Sequence, residues 1–167
     1  MCTQNERTPA QVSTLIATYR LATGEHVQLV QSTEALKQVL ASDAVLRGEA
    51  EGVVAVDCEG VPESICLLQL ATRERVVVVD GISVGEKEMC AMLAPLLTSK
   101  RTVKLLHDLH KDAAALAAIG GVEISYCLDS QLVMERISHS LHMGFNEVCA
   151  CSYVLCLCVC NGRWGWV

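Results

Sequence analysis

Three apolar runs, Val53 to Glu59, Ile65 to Ala71 and Arg75 to Val79, follow one another so closely that only turns fit between them. The links carry turn chemistry, Gly60-Val-Pro-Glu and Thr72-Arg-Glu, so the runs are expected to pair as an antiparallel meander. Around them the pattern alternates. His26 to Val30 reads as a strand, and Ser32 as the N-cap of a helix whose apolar positions Leu36, Val39 and Leu40 follow the helical period. After the meander come a helix over Glu88 to Leu97, a strand over Val103 to His107 and an alanine-rich helix over Leu109 to Ile119, stopped by Gly120-Gly121. A strand over Val122 to Leu128 and a helix over Ser130 to Ile137 complete the series. The order β-α-βββ-α-β-α-β-α predicts an α/β fold, a mixed sheet joining the meander to parallel strands, with helices on both faces.

At 167 residues the chain is long enough for one domain with a real core. We assign that domain to residues 26–148. Residues 1–25 are polar and read as irregular, with a short helix over Gln11 to Tyr19. The net charge of -6, with 13 Lys and Arg, provides no general basic field for nucleic acid, so any such binding must rest on a local patch or on metal. No signal-peptide pattern stands at the N-terminus, and no run reaches the roughly 18 apolar residues of a membrane span. The expectation is an intracellular protein, cytoplasmic or nuclear, with no membrane partner.

The ten cysteines divide into two groups. Cys2, Cys58, Cys66, Cys90 and Cys127 are scattered without metal-ligand spacing, as expected of thiols in a reducing compartment. Cys149, Cys151, Cys156, Cys158 and Cys160 crowd together in Cys-x-Cys steps rather than the Cys-x2-Cys pairs of a zinc site. As a strand, that segment would align Cys156, Cys158 and Cys160 on one face, an arrangement open to a soft metal. The composition changes at about Val148, and residues 149–167 read as a tail foreign to the domain before it.

The first run ends in Asp57-Cys58-Glu59-Gly60. Residues two apart on a strand share a face, so Asp57 and Glu59 stand together while Val54, Val56 and Cys58 face the other way. Two carboxylates on an otherwise apolar strand repel and are costly to desolvate unless a cation neutralises them, and a divalent metal does this best. The competing reading ends the strand at Val56 and leaves both acids in a solvated loop. A second cluster, His107-Asp108-Leu109-His110-Lys111-Asp112, opens the alanine-rich helix. Asp108 and Asp112 share a face there. One faces the site, or else Asp108 caps the helix and Asp112 is solvated; His107 and His110 are open to ligation or to local hydrogen bonds.

Taken in order, Val-Asp57-Cys-Glu59-Gly, Leu67-Leu68-Gln69-Leu70, Val77-Val78-Val79-Asp80, Lys104-x-x-His107-Asp108-x-x-x-Asp112-x-x-x-Leu116 and Leu128-Asp129-Ser130-Gln131 resemble the 3'-5' exonuclease domain of the DEDD superfamily, nearest its Egalitarian-type and Werner-type members. The resemblance spans roughly residues 27–148. It implies an RNase H-like fold with catalytic and metal-binding carboxylates at Asp57, Glu59 and Asp112. It further implies two magnesium or manganese ions, hydrolysis at nucleic acid 3' ends of single-stranded DNA or RNA, and release of nucleoside monophosphates. Glu59, reaching the terminal 3'-hydroxyl, and His107 are the implied substrate contacts. Asp129 is read as the N-cap of the last helix, and Lys104 has no assigned chemistry.

The family's third motif, a late Tyr or His followed by Asp, has no counterpart, because no Asp follows Asp129. Phe145-Asn-Glu147 resembles the entry to that region. On this reading the fold is incomplete at its C-terminus and the activity impaired. A non-catalytic module that binds RNA or a protein partner covering the incomplete core is the alternative.

Overall fold

The fold is described for residues 16–20, 26–61 and 64–138 of a computed structural model. Among the described residues seven strands form one sheet: β1 (Ile16–Arg20), β2 (His26–Val30), β3 (Gly52–Val61), β4 (Ser64–Ala71), β5 (Val76–Asp80), β6 (Thr102–Leu106) and β7 (Cys127–Asp129), in spatial order β1-β2-β5-β4-β3-β6-β7. The helices are α1 (Thr33–Ala41), α2 (Gly81–Val84), α3 (Glu86–Thr98), α4 (His110–Gly120) and α5 (Ser130–Ser138).

The meander forms as its short links require. β3 pairs antiparallel with β4 and β4 with β5, while β2 joins β5, and β6 joins β3 and β7, in parallel. The even residues of β3 are the apolar ones, and they set the core. Val54 and Val56 are buried with Leu68, Leu70, Val77 and Val79 beneath Leu36 and Val39 of α1, Met89, Leu93 and Leu97 of α3, and Ala115 and Leu116 of α4. Each fully buried Leu or Val contributes about 1.5–3 kcal/mol. α3 and α4 cross closely at Gly120, where an added Cβ would lie 2.3 Å from that of Cys90. Leu105 points by alternation to the opposite face of the sheet, and Met134 of α5 is buried outside the cluster.

The caps follow the sequence in part. Ser32 Oγ accepts from Ala35 N–H at 3.2 Å, and Gly121, at φ 64, ends α4 in the left-handed conformation that glycine adopts freely.

Two expectations are corrected. Where a short helix was expected over Gln11 to Tyr19, Ile16–Arg20 is a strand, paired antiparallel with β2 from Ile16↔Val30 to Arg20↔His26. Residues 11–15 lie outside the described residues. Ile, Thr and Tyr are residue types that favour strands over helices, and the β2 ladder gives this stretch its partner. The strand expected over Val122 to Leu128 is confined to Cys127–Asp129. The chain before it spends its hydrogen bonds on α4 and α3: Val122 N–H donates to the Leu116 carbonyl, Ser125 N–H to that of Leu97 and Ser125 Oγ to that of Thr98. Tyr126, at φ 56, then turns it into β7. The cysteine-rich tail and Phe145 to Glu147 lie outside the described residues. Among the described residues no helix is long and apolar enough to cross a membrane.

Candidate active site

Asp57 and Glu59 stand on the odd face of β3, away from buried Val54 and Val56, as strand alternation requires. Asp57 is half-buried and Glu59 exposed. Between Glu59 and Gly60 the β3–β4 register shifts. Such a bulge bends a strand and re-aims its side chains. Gly60 permits it: at φ 154 an added Cβ would stand 2.1 Å from the Ser64 carbonyl oxygen.

The pairing of β3 with β6 stops at Ala55↔Leu105, so farther along this edge of β3 carries no ladder. There Asp112, in the first turn of α4, approaches the Cys58 backbone N–H at the carboxylate-bearing end of β3. The charges respond. Burial first, then Asp57, Glu59 and Asp108, raise the Asp112 carboxyl to about 6 against the pull of the Cys58 N–H. Burial and the neighbouring Glu59 raise Asp57, partly offset by His107. Burial and the surrounding carboxylates, Asp112 foremost, push the Cys58 thiol up as well, so it stays protonated and packs as an apolar side chain.

Asp112 thus faces the site rather than solvent. Asp108 is exposed at φ 53 and does not cap α4; the cap position is Leu109, with no side-chain cap bond. His107 Nδ1 lies 3.0 Å from Ser130 Oγ. Ser130 gives its only proton to the Leu106 carbonyl at 3.0 Å, so the imidazole carries its hydrogen on Nδ1. His110 is exposed in the first turn of α4. Lys104 lies away from this chemistry: it is fully buried, and its ammonium donates to the carbonyls of Ser99 and Thr102.

Sequence reasoning gave Gln69 no role, yet its Nε2 donates to Asp57 Oδ2 at 2.9 Å from the directly opposed position on β4. The signal was present: Gln69 is the one amide in an apolar strand, and the meander register aligns it with Asp57. Asp129 does more than expected. Besides accepting from Gln131 N–H at 2.9 Å as a cap, it accepts from Asp108 N–H at 3.2 Å and Leu109 N–H at 3.0 Å.

Asp57, Glu59 and Asp112 offer only hard oxygen donors, the set that magnesium and manganese prefer. Among the described residues no Lys or Arg forms an ion pair with any of them. Asp57 and Asp112 are raised by burial first and then by neighbouring carboxylates, a cost that a divalent cation would relieve, so the donor set fits the ion. Among the described residues, however, no group of three such side chains already converges into a cage.

Residues 28–152 match the family described as 3'-5' exonuclease. Among solved structures the fold is similar to that of Escherichia coli RNase D, an exoribonuclease involved in structured RNA processing, at 18% identity and a TM-score of 0.65 over 76% of this chain and 33% of that one. It is also similar to the EXO domain of Aedes aegypti Nibbler, at 21% identity and 0.61 over 77% and 68%. The EXD2 exonuclease domain, soaked in Mn and GMP, matches at 26% identity and 0.54 over 69% and 61%. The chain therefore spans about a third of the length of that RNase D. No curated protein matches.

Proposed function

Because the chain belongs to the 3'-5' exonuclease family, we propose that it hydrolyses the 3'-terminal phosphodiester of a single-stranded nucleic acid, with Asp57, Glu59 and Asp112 as the metal-binding carboxylates. The observation that carries this reading is the approach of Asp112 of α4 to Asp57 and Glu59 of β3, which places the three acids in one electrostatic cluster. Magnesium or manganese ions, when bound, supply Lewis acidity at the attacking water and at the leaving 3'-oxygen. The chain's own residues hold and orient: Gln69 fixes the Asp57 carboxylate, the bulge at Gly60 aims Glu59 towards the terminal 3'-hydroxyl, and His107 flanks the strand end. The manganese and GMP soaked into EXD2 make manganese the first ion to try, and the RNA-processing role of RNase D makes RNA the first substrate.

The carboxylates of such a site act as a unit, so removing any one of Asp57, Glu59 and Asp112 should lower turnover by orders of magnitude. A second reading, a non-catalytic module for RNA or a protein partner, draws on the open arrangement of the three carboxylates among the described residues. To separate the two, the protein and its Asp57→Ala variant are incubated with 3'-labelled RNA and DNA single strands in manganese or magnesium. Metal-dependent nucleotide release by the wild type alone supports the exonuclease. Equal and negligible release from both rejects it in favour of the binding module.

A further inference from the structure

The Asp129 carboxylate, at the end of β7, ties together two chain segments far apart in sequence. Oδ1 accepts from Gln131 N–H at 2.9 Å, the ordinary cap bond of α5. The same oxygen accepts from Asp108 N–H at 3.2 Å, and Oδ2 from Leu109 N–H at 3.0 Å. Both of these donors belong to the turn between β6 and α4. That turn needs an outside partner. The start of α4 has no side-chain cap, since Leu109 occupies the cap position and has no acceptor to offer. Asp108 adopts φ 53, a conformation that non-glycine residues hold only where partners fix it. Asp129 provides the acceptors and places negative charge at the positive end of the helix. Ser130 adds a second tie, its Oγ donating to the Leu106 carbonyl.

We propose that Asp129 is a positioning residue: by clamping the Asp108–Leu109 turn it fixes the first turn of α4, and so holds Asp112 against the Cys58 N–H beside Asp57 and Glu59. This rests on the reading of those three carboxylates as metal ligands. Partners of this kind, one step removed from the ion, change metal affinity about 10–100-fold when they are lost.

Asp129→Asn is the informative variant. It keeps one oxygen for the Gln131 cap but turns an NH2 group towards one of the turn amides, so α5 keeps its start while the clamp opens. In the metal-free protein, amide hydrogen exchange at Cys58 reads the placement of Asp112 directly, at a position Asp129 does not touch. Faster exchange at Cys58, Asp108 and Leu109, with β4 unchanged, is the expected result. Manganese affinity by calorimetry falls about tenfold. Wild-type protection at Cys58 in a folded Asp129→Asn protein overturns the proposal, as does unchanged manganese affinity. If the variant fails to fold, the wild type decides: saturating manganese must slow exchange at Leu109 more than at Ala35 in the cap of α1, and equal slowing overturns the clamp. Failure of the wild type to bind manganese at all sinks the metal reading itself, while the metal-free exchange still reports on the clamp.

Discussion

Gln69 Nε2 holds Asp57 Oδ2 at 2.9 Å across the β3–β4 pair, leaving the other carboxylate oxygen to the site. The contact works by orientation, because an amide neutralises no charge. Gln69→Leu keeps the volume and removes the donor. The half-buried carboxylate then loses a bond that contributes about 1 kcal/mol. Manganese affinity should fall about tenfold, while the melting temperature moves by no more than a few degrees. Calorimetric titration of the two proteins checks this, and equal affinity would mean that the pair is decorative.

Asp112 predicts a pH dependence with a definite sign. Its folded-state carboxyl, near 6, lies above the usual 3.8, chiefly through burial and then through Asp57. The fold therefore favours the protonated acid: this stabilisation is complete below about 3.8 and is lost as pH rises through about 6. Discounted for partial exposure, the loss amounts to about 1 kcal/mol. Without divalent ions, Asp112→Asn should melt about 2–4 °C above the wild type at pH 7.5 and level with it at pH 4. Manganese should close the gap by stabilising only the wild type. Thermal unfolding in chelator at the two pH values tests the sign, and a less stable Asn variant at pH 7.5 contradicts it.

What could be read from the sequence depended on how local the cause was. Short links dictated the meander, and alternation along Val53 to Glu59 separated core from site before any partner strand was known. Ile16–Arg20 escaped because its strand exists only through the β2 ladder. Val122 to Ser125 was misread because Val122 and Ile124 join the core while the backbone bonds α4 at Leu116 and α3 at Leu97 rather than a ladder. In the site, Asp57, Glu59 and Asp112 were legible as charged side chains in suggestive positions. The contacts that assemble them were not, because they run through the backbone N–H groups of Cys58, Asp108 and Leu109, which leave no mark on residue identity.

Gly60 offers a test of the bulge. Alanine there would set its Cβ 2.1 Å from the Ser64 carbonyl oxygen, and backbone on both sides must move to relieve the overlap. Gly60→Ala should cost about 3 kcal/mol in urea unfolding, within the range of strain at a special backbone position. The protein that still folds should bind manganese less tightly, because Glu59 is the residue immediately before the displaced turn. A variant within about 0.5 kcal/mol of the wild type would show that the register shift does not depend on glycine.

The charge around the site decides how a nucleic acid strand is held. Asp57, Glu59, Asp108, Asp112 and Asp129 gather at the ends of β3, β6 and β7 and at the start of α4, where His107, His110 and Lys111 are the basic side chains on the same segments. Such a surface repels phosphate until cations reverse its sign. Binding of a cleavage-resistant phosphorothioate RNA should therefore be at least about tenfold weaker in chelator than in manganese. Its dependence on monovalent salt should be shallow, a logarithmic slope of about -1 rather than the steep slope of a basic groove, because few Lys or Arg contacts release counterions. Fluorescence anisotropy across a salt series measures both quantities. Tight binding in chelator with a steep slope would move the strand to another face of the domain, and with it the balance towards a module that binds without cutting.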